Sequence, residues 1–336
     1  MHQKRYAALC LWGLCGALGV LFLLSFLWGR LDVSAGEVIR ILAWRCGLGV
    51  EQTWTDKMAA AVLNIRLPRI LLAMMVGCAL SAAGTAYQSV FQNPMAAPDI
   101  LGASSGACFG ATLAILLEIP AVTALAFACS FATVILVYLI GRRGRGSRTM
   151  NILLAGIVVS SLFSAGISCI KLVADPNSKL PEITYWLMGS LSGTRMKDAG
   201  FLLLPLLFGG IPLLVLRWRI NLLTLGEEEA SSMGINTSRL RLMVILCVTL
   251  LTAASVSVSG MIGWVGLVIP HLSRRLVGND CRWLLPVAMV FGALFLLLVD
   301  NISRTLLAVE IPIGILTAFV GAPFFLHLMT RKGGWT

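Results

Sequence analysis

Apolar runs of about the length that crosses a bilayer recur through this chain, at about residues 6–28, 67–91, 99–118, 121–140, 150–172, 199–216, 241–259, 262–276, 284–303 and 312–330. A helix rises 1.5 Å per residue, so about 20 mostly apolar residues span the hydrocarbon layer. The runs predict an all-α polytopic membrane protein of about ten transmembrane helices, with residues 1–336 forming one transmembrane domain. Composition agrees. The chain is 58% apolar and 12% charged, against about 45–50% and about 25% in a soluble domain. So few charges cannot cover a water-facing surface, which excludes a soluble enzyme, a secreted disulfide scaffold and a disordered chain. The first run is longer than a signal-peptide core. Its small-residue step, Val33-Ser34-Ala35, also lies beyond Arg30 and Asp32, so the run reads as a span. The two runs flanking Gly260 are short, as expected of an interrupted pair that lines a pathway.

The net charge of +11 fits the Lys and Arg that membrane proteins keep in cytoplasmic loops, and needs no nucleic-acid partner. An even number of spans puts both termini on one side. Lys4 and Arg5, the basic loop GRRGRGSR at 141–148, and Arg331 with Lys332 mark that side as the cytoplasm. Nine cysteines are scattered without a CxxC pair, mostly inside apolar runs, where a thiol packs as a small hydrophobe. His2, His271 and His327 are far apart, and neither HExxH nor GxxxxGK(S/T) occurs. No catalytic residue, metal site or cofactor is expected.

Two connections are more than turns. Segment 30–65 holds Trp44 and Trp54 and suits an interfacial helix; segment 217–241 predicts a short helix ending at Gly234, with Thr237 capping the next. In the second span Gly77, Ser81, Thr85 and Ser89 recur every four residues beside Gln88. They read either as close helix packing or as a mildly polar wall of a translocation path. Ser160, Ser164 and Ser168 share a face in the fifth span, with the same two readings. Arg66 and Arg69 near Pro68, and Arg304, sit at outer span ends. They either snorkel to the interface or contact a partner, and Asp300 and Glu310 stand within reach of Arg304.

The stretch RLPRILLAMMVGCALSAAGTAYQSVFQNPMAAPDILGASSGA at 66–107 resembles the opening signature of the binding-protein-dependent ABC importer permeases for iron–siderophore, haem and cobalamin. GEEEASSMGINTSRLR at 226–241 is similar to their cytoplasmic coupling segment. GMIGWVGLVIPHLSRRLVGND at 260–280 and the run from Val299 to Phe325 resemble their C-terminal half. The resemblance implies a type II ABC importer permease fold in the cytoplasmic membrane. It implies a homodimer with the pathway at the subunit interface, two separate ATP-binding subunits, and a periplasmic or lipid-anchored substrate-binding protein. The substrate it implies is a metal chelate, with ferric siderophore first and haem or cobalamin as alternatives. Position by position, it implies binding-protein docking at Arg66, Arg69 and Arg304. It implies ATPase contacts at Glu227, Glu228, Glu229, Arg239 and Arg241, with Ala230 and Gly234 giving close packing, and a cytoplasmic gate at Asn93, Pro94 and Met95. Met95 replaces the usual Leu, Met261 the usual Pro, and Gln92 a commonly charged residue; loss of that Pro is expected to loosen the break before the eighth span. The rival readings are an ion-coupled secondary transporter, which would want mid-span carboxylates, and a membrane scaffold that transports nothing. Glu118, Asp300 and Glu310 all lie near predicted span ends.

Overall fold

The computed structural model describes residues 2–29, 31–144 and 148–330; Arg30, Arg145, Arg331 and Lys332 lie outside the described residues. The helices run in order α1 (His2–Ser25), α2 (Ala35–Arg45) and α3 (Asp56–Ala60), which continues through a π-helical stretch (Ala61–Arg66) into α4 (Leu67–Val90). There follow α5 (Ala103–Leu116), α6 (Val122–Arg143), α7 (Arg148–Val173), α8 (Lys179–Leu187) and α9 (Met196–Pro205). A second π-helical stretch (Leu206–Gly210) joins α9 to α10 (Ile211–Leu223). The chain closes with α11 (Glu227–Ser232), α12 (Thr237–Ser259), α13 (Val265–Val277), α14 (Cys281–Thr305) and α15 (Ile313–Thr330). No strand occurs among the described residues.

Each of the ten apolar runs coincides with a helix, and among the described residues seven helical segments are long and apolar enough to cross a membrane. The others are shorter. α5 has 14 residues, about 21 Å at 1.5 Å per residue. The chain from Gln92 to Gly102 is occupied by turns, and Gly102, at φ 78°, starts the helix four residues later than hydropathy implies. α13 has 13 residues because the chain breaks at Gly260 and again ends at Gly278.

α4 is the axis of the bundle, in contact with α14, α12, α13, α9 and α10. Its small residues explain how. A Cβ on Gly77 would fall on the Gly292 carbonyl of α14, and one on Gly84 would fall on the Gly266 carbonyl of α13. Backbones that meet this closely gain van der Waals contact, which drives helix association where lipid removes the hydrophobic contrast. α1 and α7 lie at the outside of the bundle and leave Leu9, Trp12, Val158 and Leu162 exposed.

The interfacial helix is α2. Ser34 caps it in a reciprocal capping box with Glu37, and Trp44 packs edge-on against the buried Trp54 at 6.1 Å. The cap of α12 differs from expectation. Asn236, not Thr237, is the capping residue, its side-chain oxygen accepting from the Arg239 amide at 3.0 Å.

Candidate functional site

The described residues gather no group of three or more His, Cys, Asp or Glu able to hold a metal ion. Polar chemistry concentrates instead at three levels along α4. The first is the end that carries Arg66. Arg69 donates from Nε to Asp300 Oδ1 at 2.8 Å and from Nη1 to Glu310 Oε2 at 2.8 Å. Arg304 donates to the Ser25 carbonyl at 2.7 Å and to Asn301, with Asp300 3.9 Å from its Nε. Arg66 donates to the carbonyls of Phe26 and Leu31. The last carbonyls of a helix have no partner within it and carry its negative dipole end. Arg304 and Arg66 therefore cap the end of α1 and the coil beyond it.

The three arginines that the resemblance makes binding-protein contacts all lie in this cluster. Arg66, Arg69 and Arg304 are only 5–7% exposed and are engaged by their own chain. Asp300 and Glu310 pair chiefly with Arg69 rather than Arg304. Arg69 Nη2, Asp300 Oδ2 and Arg304 Nε make no hydrogen bond. The partly exposed Glu310 is the cluster's opening to solvent.

The second level is the broken helix. α12 stops at Ser259, Gly260 and Trp264 both take φ 68°, and α13 starts at Val265. Gly189, Gly260 and Gly314 let three backbones cross here: a Cβ on any of them would strike a carbonyl of Trp186, Met188 or Met261. Ser190 donates to the Ser259 carbonyl at 2.8 Å. Beside the crossing lies a cleft of about 850 Å³ whose walls include Leu80, Asp99, Met188, Met261, Trp264 and Phe319. No Lys, Arg or His lines it among the described residues.

The third level is the turn after α4. Gln92 takes φ 48°; the Asn93 side chain accepts from the Met95 amide at 2.9 Å, and Pro94 and Met95 are exposed. Gln92 Nε2 donates to the Leu223 carbonyl at the end of α10 at 2.6 Å. The Asn221 side chain accepts from the Cys281 amide at 2.9 Å. The turn is thus bonded into segment 217–241, at the end of α10. The sequence signalled Gln92 only as a substitution, and nothing in it distinguished Asn221.

Within that segment Glu228, Glu229 and Arg239 are exposed and Ala230 is buried; the side chain of Glu227 lies outside the described residues. One expectation is corrected: Arg241 is buried rather than presented to a partner. Gly234 takes a φ of 81° in the helix-ending turn and has open space around it in this chain.

Ser81, Thr85 and Gln88 take the packing alternative. Ser81 is fully buried against Gly292, Thr85 donates to the Ser81 carbonyl at 2.8 Å, and Gln88 accepts from Arg274 while donating to the Leu267 carbonyl at 3.4 Å. On α7, Ser164 and Ser168 are exposed and Ser160 is half-buried, so this face stays open.

The model of the FecCD transport family matches residues 17–331. The molybdate import permease MolB of Haemophilus influenzae is 39% identical over 96% of this chain and 96% of its own. The hemin transport permease HmuU of Yersinia pestis is 42% identical, over 82% of this chain and 85% of its own. A solved ABC transporter of metal-chelate type, in an inward-facing conformation, superposes with a TM-score of 0.85 at 38% identity, covering 96% of this chain and 99% of that one.

Proposed function

Since the chain belongs to the FecCD transport family, we propose that it is the permease subunit of a binding-protein-dependent ABC importer that carries a ferric siderophore across the cytoplasmic membrane. It works as a homodimer above two ATP-binding subunits and below a substrate-binding protein, with both termini in the cytoplasm. Closure of the ATP-binding pair moves segment 217–241. Through Leu223 and Gln92 that movement reaches the turn at Asn93–Met95, which acts as the cytoplasmic gate. This bonded route between coupling segment and gate is the observation that carries the reading. ATP drives the cycle because the closed pair binds one permease conformation more tightly than the other.

The cleft at the broken helix and the open hydroxyl face of α7 supply the path. Apolar walls, with one carboxylate and no cation among the described residues, suit a bulky chelate that must be released. They are poorly matched to a small oxyanion, although the end-to-end likeness to a molybdate permease keeps molybdate as the second reading. For docking, carboxylates of the binding protein replace Glu310 on Arg69, the Ser25 carbonyl on Arg304, and the Phe26 and Leu31 carbonyls on Arg66. Uptake of labelled ferric siderophores, haem, cobalamin and molybdate, compared in cells with and without the gene, tests the substrate. Loss of ferric-siderophore uptake alone is expected; loss of molybdate uptake alone overturns the chelate reading.

A further inference from the structure

On the membrane face that carries segment 217–241, a groove of about 630 Å³ opens between the end of α10 and the start of α12. Both helices belong to segments long and apolar enough to span, Met196–Leu223 and Thr237–Ser259, so the groove lies where the chain leaves the membrane. Its floor is apolar, from Leu222 and Met243; its rim holds Trp218, Arg219 and Arg239, and Met233 closes one side. Trp218, Met233 and Met243 are each at least half exposed. No acidic residue lines the groove among the described residues, and the first turn of α12, which holds Arg239, contains none. The indole of Trp218 is held in place: the Arg282 guanidinium lies 4.9 Å from its ring centroid and is itself ion-paired to Asp280 at 2.7 Å.

An apolar floor running down between two spans, an interfacial tryptophan and a cationic rim without its own counter-charge match one kind of molecule. Tryptophan favours the headgroup level of a bilayer, and basic pockets between helices on the membrane face bind anionic headgroups. We propose that this groove is a binding site for an anionic phospholipid, with its phosphate between Arg219 and Arg239 and an acyl chain along Leu222 and Met243. One wall, Met233–Asn236, is the joint between α11 and α12. An occupied groove therefore steadies the segment through which an ATP-binding partner would act. The binding claim itself holds whether or not the importer reading does.

Full-length chain in a neutral detergent, titrated with dioleoyl phosphatidylglycerol and followed by native mass spectrometry, tests the site. The wild type should retain phosphatidylglycerol in preference to phosphatidylcholine. With about 1 kcal/mol from each basic residue near an anionic surface, Arg219→Gln/Arg239→Gln should bind it roughly thirtyfold more weakly. Arg142→Gln/Arg143→Gln, at the exposed end of α6, should bind it as the wild type does. Equal binding by the Arg219→Gln/Arg239→Gln variant overturns the site. So does competition by inorganic phosphate alone, which would make it an anion site without a lipid. Displacement of the lipid by added ATP-binding subunit also overturns it, because the groove would then be a protein interface. If the double variant fails to fold, Arg239→Gln alone, in an exposed position, should still weaken binding roughly fivefold.

Discussion

At one end of α4, Arg66, Arg69 and Arg304 are enclosed, and each guanidinium meets a carboxylate or carbonyl of the same chain. On the face that carries segment 217–241, Arg219 and Arg239 stand exposed around a groove that no acid lines among the described residues. The physics of the two environments differs. A buried charge left without its partner costs several kcal/mol, whereas an exposed pair contributes about 0–1 kcal/mol. The enclosed arginines are therefore part of what holds α1, α4 and α14 together. The exposed ones are free to serve whatever approaches from outside.

Removing a partner from the enclosed cluster should show the largest effect. Asp300→Ala strips Arg69 of one carboxylate and Arg304 of its nearest one, and should lower stability by about 3–5 kcal/mol, read as a fall in the thermal unfolding midpoint of the purified protein. Overfilling a backbone crossing comes next. Gly84→Leu drives a side chain into the Gly266 carbonyl and should cost at least about 1–3 kcal/mol in the same assay. Caps separate more finely: Asn236→Ala should cost about 1 kcal/mol and Thr237→Ala clearly less. A reversal of that order would restore Thr237 as the cap. Glu228→Gln/Glu229→Gln should leave stability within about 0.5 kcal/mol while weakening the association of an ATP-binding subunit, measured by co-purification. The smallest effect is a pH dependence. The Arg282 guanidinium and amide hold the Asp280 carboxyl below its usual range. Its stabilising contribution is therefore present above the ordinary carboxylate range and is lost as pH falls through the lowered value. Asp280→Asn should remove that part of the acid-side loss.

Hydropathy located all ten helical runs, because the need to satisfy the backbone in lipid leaves a strong signature. It misjudged α5, where residues before Gly102 keep apolar side chains while the backbone turns. The four-residue spacing of Gly77, Ser81 and Thr85 was legible as a helix face. Whether that face met another helix or a path depended on Gly292 and Gly266, remote in sequence. The arginines were identified by position, but their burial is decided by the coil after α1, whose carbonyls carry no pattern in the sequence. Gly234 was legible as a helix-ending residue, and its φ of 81° supplies the reason. The bond from Gln92 to Leu223 joins residues 131 positions apart, and no local feature announces it.

The most direct test of the proposed coupling is the uptake of substrate per ATP hydrolysed by the complete transporter in proteoliposomes, comparing wild type with Gln92→Ala. The variant loses only the bond from the gate turn to Leu223. If the coupling segment drives the gate through that bond, hydrolysis should continue while uptake per ATP falls by up to about tenfold, the equivalent of one hydrogen bond. An unchanged ratio would show that movement reaches the gate by another route and would contradict the account.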